Sequence, residues 1–324
     1  MAEYPVPAGV AERMLTLRTC GLAIPAAFTV PTDRAPAAAL LLIPGSLFCD
    51  VNGDFPSWNS FPGTNAYLAH QLAERGVAVM RYAKAGPGTG TVVEDQAIWD
   101  QHRSWEGRVT IARGAIALFH QTLSEIGFAG PVYISGHSEG SVVASRLVAE
   151  YPSETRAAGV VLLSGPAVGI LSVMAERVAR EAPPEEREAR VASMTAANAA
   201  IMKGEPIPND LRSLGWIAGV ANMPPEGHKY LADCERTDPC ASAAAIGARV
   251  LVVQGTNDDN VTMHDAERLM AARAGQPTEL LALEGLSHTF KRVPPGTNQM
   301  LAFGWPGPCD ESVADGIVRW IGAA

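Results

Sequence analysis

The stretch Val132-Tyr133-Ile134-Ser135-Gly136-His137-Ser138-Glu139-Gly140-Ser141-Val142-Val143 decides how this chain is read. Val132 to Ser135 is a short apolar run of the kind that forms a buried strand, and Ser141 to Glu150 continues with helical spacing. Between them Gly136 to Gly140 fits the pattern G-x-S-x-G. In a chain with 31 glycines that pattern alone carries little weight. Strand, tight turn and helix give it meaning, because a serine held at such a turn leaves no room for side chains two residues before and after it. A helix that begins at Ser138 also aims its first amides and its dipole at negative charge developing beside the hydroxyl. The plainer reading is a serine that only caps a helix.

A serine hydroxyl is a weak nucleophile at neutral pH and needs a base, which in turn needs an orienting acid. Working outward, the apolar run Val250 to Gln254 leads into Gly255-Thr256-Asn257-Asp258-Asp259-Asn260-Val261, a polar turn with two carboxylates. The run Glu279 to Leu283 leads into Gly285-Leu286-Ser287-His288-Thr289-Phe290. Of the histidines, His70, His102, His120, His137, His228 and His264 do not follow a late strand as His288 does. Serine, then acid, then histidine is the chain order of one class of serine hydrolases.

The remaining pattern is strands alternating with helices. Strands are expected at Met14 to Arg18, Leu22 to Val30, Ala39 to Ile43, Val77 to Tyr82, Val132 to Ser135, Gly159 to Leu163, Val250 to Gln254 and Glu279 to Leu283. Helices are expected at Asn65 to Arg75, Gly107 to Leu123, Ser138 to Glu150, Met263 to Arg273 and Glu311 to Ile321. This predicts an α/β fold, a mostly parallel eight-stranded sheet with helices on both faces and an antiparallel edge from the first two strands. The alternation stops between about Val168 and Thr237, where no strand is evident. Residues 168–237 therefore read as a helical cap inserted into a core of residues 1–167 and 238–324. Met174, Met194 and Met202 lie on its apolar faces and are expected to line a substrate pocket with Leu47; ordinary packing is the alternative. Trp99 and Trp105 either wall that pocket or pack in the core.

Composition limits the function further. A net charge of −9 leaves no basic patch for nucleic acid or anionic lipid. No secretory leader is evident in Met1 to Met14, and no stretch reaches the roughly 18 apolar residues of a membrane span. Five cysteines without paired spacing read as free thiols of a reducing compartment, the cytoplasm. No histidine or cysteine grouping has metal-ligand spacing, and the chemistry requires no cofactor. A small acyl compound is the expected partner.

Several segments together resemble the α/β-hydrolases of the serine-aminopeptidase-like group, which includes many small bacterial carboxylesterases. Leu42-Ile43-Pro44-Gly45-Ser46-Leu47-Phe48-Cys49-Asp50 stands where that group reads close to L-I-P-G-S-G-P-x-D. Arg81-Tyr82-Ala83-Lys84-Ala85-Gly86-Pro87-Gly88 stands where it reads R-Y-D-x-R-G-x-G. Gly136 to Gly140 matches its G-H-S-E-G, and Leu283 to Phe290 is similar to its L-x-G-L-x-H-x-F. The resemblance implies an α/β-hydrolase fold and a triad of Ser138, Asp258 and His288, with the acid three residues after Gly255. It also implies an oxyanion hole made by the backbone amides of Ser46 and Glu139. Leu47 replaces the second loop glycine, and Ala83 and Ala85 replace the usual Asp and Arg, so substrate preference is not carried over. The expected activity is carboxylic ester hydrolysis; amidase, peptidase, thioesterase and acyltransferase chemistry use the same constellation, and a non-catalytic binding protein is the rival from another class.

Overall fold

The computed structural model describes residues 4–294, 296–297 and 299–322. The first three residues of the N-terminal stretch lie outside them. The strands are β1 Val10–Thr19, β2 Leu22–Pro31, β3 Ala38–Ile43, β4 Val77–Tyr82, β5 Val92–Val93, β6 Val132–His137, β7 Ala157–Leu163, β8 Arg249–Gly255 and β9 Thr278–Leu283. The expected count of eight is corrected to nine: β5 is a two-residue strand, too short to show a period, that exists only because it pairs with β2.

The sheet runs β1-β2-β4-β3-β6-β7-β8-β9. β1 and β2 form an antiparallel hairpin around Cys20 and Gly21, both at positive φ (52° and 73°), the twisted two-residue turn that suits a hairpin. β2 is antiparallel to β4, and every pair from β4 to β9 is parallel. The inner strands β3, β4 and β6 are buried almost throughout, whereas the outer strands β1 and β9 alternate with exposed positions. That difference follows from having helices on both faces of the centre and water at the rims.

The helices are α1 Thr64–Glu74, α2 Gln96–His102, α3 Trp105–Glu125, α4 Glu139–Glu150, α5 Pro152–Thr155, α6 Ile170–Glu181, α7 Arg187–Lys203, α8 Asn209–Arg212, α9 Ala218–Ala221, α10 Pro225–Glu235, α11 Pro239–Ala244, α12 Met263–Ala272, α13 Gln299–Phe303 and α14 Glu311–Gly322. Alternation along β3 sorts its side chains between two cores. Ala39, Leu41 and Ile43 pack with α3, α4 and α12; Ala38, Leu40 and Leu42 pack with α1 and α14. Each such leucine contributes roughly 2 kcal/mol of burial. Trp105 is 1% exposed and Trp99 is half-buried against the same core, so both are packing residues. Among the described residues no helix is long and apolar enough to cross a membrane.

Residues 168–237 form α6 to α10 and contain no strand. They have a core of their own, in which Leu171, Val178, Met194, Ala197 and Ile201 meet Val220 and Leu231. The strand order reverses direction around β3, whose neighbours are β4 and β6. Connections leaving β3 and β6 diverge there, and the crevice between them is where open α/β sheets place ligands.

Candidate active site

At the C-terminal end of β6 the chain turns sharply through Ser138, which has φ 54° and ψ −126°, and enters α4 at Glu139. This is costly backbone for a residue with a Cβ, about 1–3 kcal/mol. The flanking glycines are required by contact distance. A Cβ on Gly136 would lie 2.0 Å from the Gly140 carbonyl oxygen, and one on Gly140 would lie 2.4 Å from that of Pro44. The Ser138 amide donates to the Leu163 carbonyl at 2.8 Å, which fixes the turn against β7.

Asp258 lies in the turn after β8 with its carboxylate fully buried. Its Oδ1 accepts the amides of Asn260 and Val261 at 2.9 and 3.0 Å, and its Oδ2 accepts His288 Nδ1 at 2.8 Å and Gln254 Nε2 at 3.2 Å. Burial pushes the carboxyl pKa up, but the charge and hydrogen bond of His288 and the turn amides outweigh it, so the net shift is downward. Asp259 is exposed. The Nδ1 of His288 is directed at the carboxylate, an arrangement that fixes the orientation of the ring.

Ser138 and His288 line one cavity of about 30 Å³, with Ser46, Leu47, Cys49, Phe55, Asn65 and Phe303 among its other walls. Roughly 10–15 Å³ admits one water, so the enclosed space is small. Leu47 has φ 63°, the left-handed conformation that a glycine would adopt without strain. The loop therefore keeps a glycine-like turn and adds an isobutyl side chain to the cavity. Met174, Met194 and Met202 are not among the walls of this cavity. Met194 is 1% exposed, and all three pack within the cluster formed by α6 to α10. An amphipathic stripe identifies a buried face without saying what covers it.

Three residues were not singled out from the sequence as supports of the site. His137, set aside there as a base, is half-buried and donates Nε2–H to the His288 carbonyl at 2.8 Å; their ring centroids are 4.7 Å apart. Lys84 and Arg108 reach the side chain of Glu139. The available signal was the place of His137 and Glu139 on either side of Ser138 in G-x-S-x-G.

Burial, and then the nearby His288, lower the His137 pKa from 6.5 to about 3. A base with a depressed folded-state pKa protonates first in the unfolded chain, so acid favours unfolding. The stability supplied by neutral His137 is complete above about pH 6.5 and is lost as the pH falls toward 3. Melting temperature is expected to begin falling below about pH 6.5, with His137 contributing a slope of up to about 1.4 kcal/mol per pH unit. His137→Gln should flatten that part of the curve; an unchanged slope in the variant contradicts the assignment.

Residues 61–212 match the family model described as serine aminopeptidase, S33. The chain is 25% identical to esterase EstD of Thermotoga maritima over 331 aligned positions, covering 99% of this chain and 70% of the relative. The fold is similar to that of a proline iminopeptidase from Mycobacterium smegmatis (TM-score 0.58, 16% identity, 96% of this chain and 98% of that one). It is also similar to that of Est1E from Butyrivibrio proteoclasticus (TM-score 0.55, 13% identity, 95% and 99%). The sheet order, the turn at Ser138 and these similarities give the chain the α/β-hydrolase fold, and the proteins it is similar to are hydrolases.

Proposed function

We propose that this protein is a serine hydrolase that cleaves a small carboxylic ester through an acyl-enzyme on Ser138. The observation that carries the reading is the His288–Asp258 hydrogen bond, which orients an imidazole into the same cavity as a serine on a strained turn. His288 Nε2 takes the Ser138 proton as Oγ attacks the acyl carbon. The amides of Ser46 and Glu139 receive the oxyanion, Asp258 steadies the imidazolium, and the imidazolium protonates the departing alcohol. Water then repeats the sequence and releases the acid.

Esters are favoured over peptides with a free amino end by the character of the cavity. Its walls include Leu47, Cys49, Phe55 and Phe303, an uncharged surface that suits an uncharged ester. The deciding measurement is fluorophosphonate labelling at Ser138, together with turnover on matched esters, amides and thioesters. Absence of labelling removes the serine mechanism, and amide turnover above ester turnover removes the ester assignment.

Residues 168–237 are proposed as a cap on the core formed by 1–167 and 238–324. Support comes from their exit just beyond Leu163, which contacts the Ser138 amide, and from Tyr230 of α10, whose hydroxyl donates to Glu139 at 2.8 Å. In this reading the cap governs entry while Leu47 limits the acyl group. Leu47→Gly is expected to raise relative activity on longer acyl chains without lowering the melting temperature, because the lost side chain is offset by relief of backbone strain. Met194→Ala is expected to cost about 2–5 kcal/mol of stability and leave the chain-length profile unchanged. Profiles measured across an ester series, beside melting curves, check both; a shifted profile for Met194→Ala reverses the assignment.

A further inference from the structure

We infer that Arg108 and Glu139 form a buried ionic clamp that fixes the two halves of the oxyanion hole relative to each other. The inference rests on the serine hydrolase reading above. One proposed donor, the Ser46 amide, belongs to the loop after β3, and the other, the Glu139 amide, opens α4. No covalent link of short span sets their separation, yet a hole works only if both donors are in place before the charge forms.

Arg108, on α3, supplies the missing constraint. Its terminal nitrogen Nη2 donates to the Pro44 carbonyl at 2.5 Å and to the Gly45 carbonyl at 2.9 Å. The Gly45 carbonyl and the Ser46 amide are opposite ends of one planar trans peptide. Holding that carbonyl toward Arg108 therefore points the Ser46 N–H the other way, and a cation on the oxygen also polarises the donor. The Nε of the same guanidinium lies 2.8 Å from Glu139 Oε1, an ion-pair contact too bent to be an aligned hydrogen bond.

Glu139 is held from its own side. Its Oε1 also accepts Lys84 Nζ at 3.0 Å and the Tyr230 hydroxyl at 2.8 Å, and the carboxylate is 4% exposed. A carboxylate so anchored restrains the backbone that carries the second donor. Burial alone raises its pKa, but Lys84 and Arg108 bring it down to about 2, so the clamp is charged at neutral pH. Two cations face one carboxylate, leaving an excess positive charge behind the hole, the sign that an oxyanion favours. Arg108 and Glu139 are thus positioning residues; neither side chain is among the walls of the cavity.

The test uses Arg108→Met, Arg108→Lys and Glu139→Gln in the full chain. The readouts are kcat and KM on a short-chain nitrophenyl ester, affinity for a trifluoromethyl ketone, affinity for a substrate-like competitive inhibitor, and melting temperature. The expected result is a fall in kcat of roughly 10²–10³-fold for Arg108→Met with KM changed by less than about threefold. Ketone affinity should fall in parallel with kcat/KM across the series while the substrate-like inhibitor keeps its affinity. A lysine cannot span both carbonyls and the carboxylate, so Arg108→Lys should recover only part of the rate. If Arg108→Met does not fold, Arg108→Lys and Glu139→Gln carry the comparison. Folded variants with undiminished kcat, or with kcat lost and ketone affinity unchanged, overturn the clamp. Fluorophosphonate labelling of the unmodified protein separates the two levels: labelling with undiminished variants sinks the clamp alone, whereas no labelling sinks the serine mechanism and the clamp with it.

Discussion

Ser138→Ala is expected to lower kcat by about 10⁴-fold or more while the protein remains folded. The substitution removes one hydroxyl that faces a cavity and leaves the backbone at φ 54°, a conformation that alanine tolerates no better and no worse than serine. Melting temperature should therefore stay near that of the parent. Steady-state kinetics on an ester, beside circular dichroism and a melting curve, separate the possibilities. Full turnover in a folded Ser138→Ala protein would exclude the acyl-enzyme and move the chemistry elsewhere. A large drop in melting temperature would mean that the hydroxyl supports the turn.

Asp258→Asn is expected to cost about 10⁴-fold in kcat, and Asp259→Asn less than about threefold. An asparagine at 258 can keep the bonds from the Asn260 and Val261 amides, but its amide also offers protons toward His288 and favours the wrong tautomer. Asp259 is exposed, and its contact with Arg180 is made by the backbone carbonyl, which substitution leaves in place. The pair is a sharp comparison because the residues are neighbours in one turn. A larger loss at 259 would shift the acid by one position.

The central strands were legible because burial on both faces demands unbroken apolar runs, so Val77–Tyr82 was read from the sequence to the residue. Edges were less so: β1 starts at Val10, before the apolar pattern begins, because ladder pairing with Pro31 extends it. The turn glycines were legible through steric necessity, and the short distances from a Cβ at Gly136 or Gly140 to backbone carbonyl oxygens give the reason. The pocket was not. Helical spacing marks Met194 as buried, and only the fold reveals that its neighbours include Leu171 and Ile201. Lys84 looked unremarkable between two alanines, since a charge acquires significance from a partner such as Glu139, 55 positions away in sequence.

Two residues of the site, Leu47 and Ser138, sit in left-handed backbone that glycine would occupy at lower cost. A library sorted for heat resistance alone should accumulate glycine at both positions, because each exchange relieves local strain. Under the proposed acyl-enzyme mechanism the survivors at 138 would be well folded and inert, whereas those at 47 would be well folded with more room for the acyl group. Thermal selection without an activity screen would thus drive this protein away from its chemistry at one position and broaden that chemistry at the other.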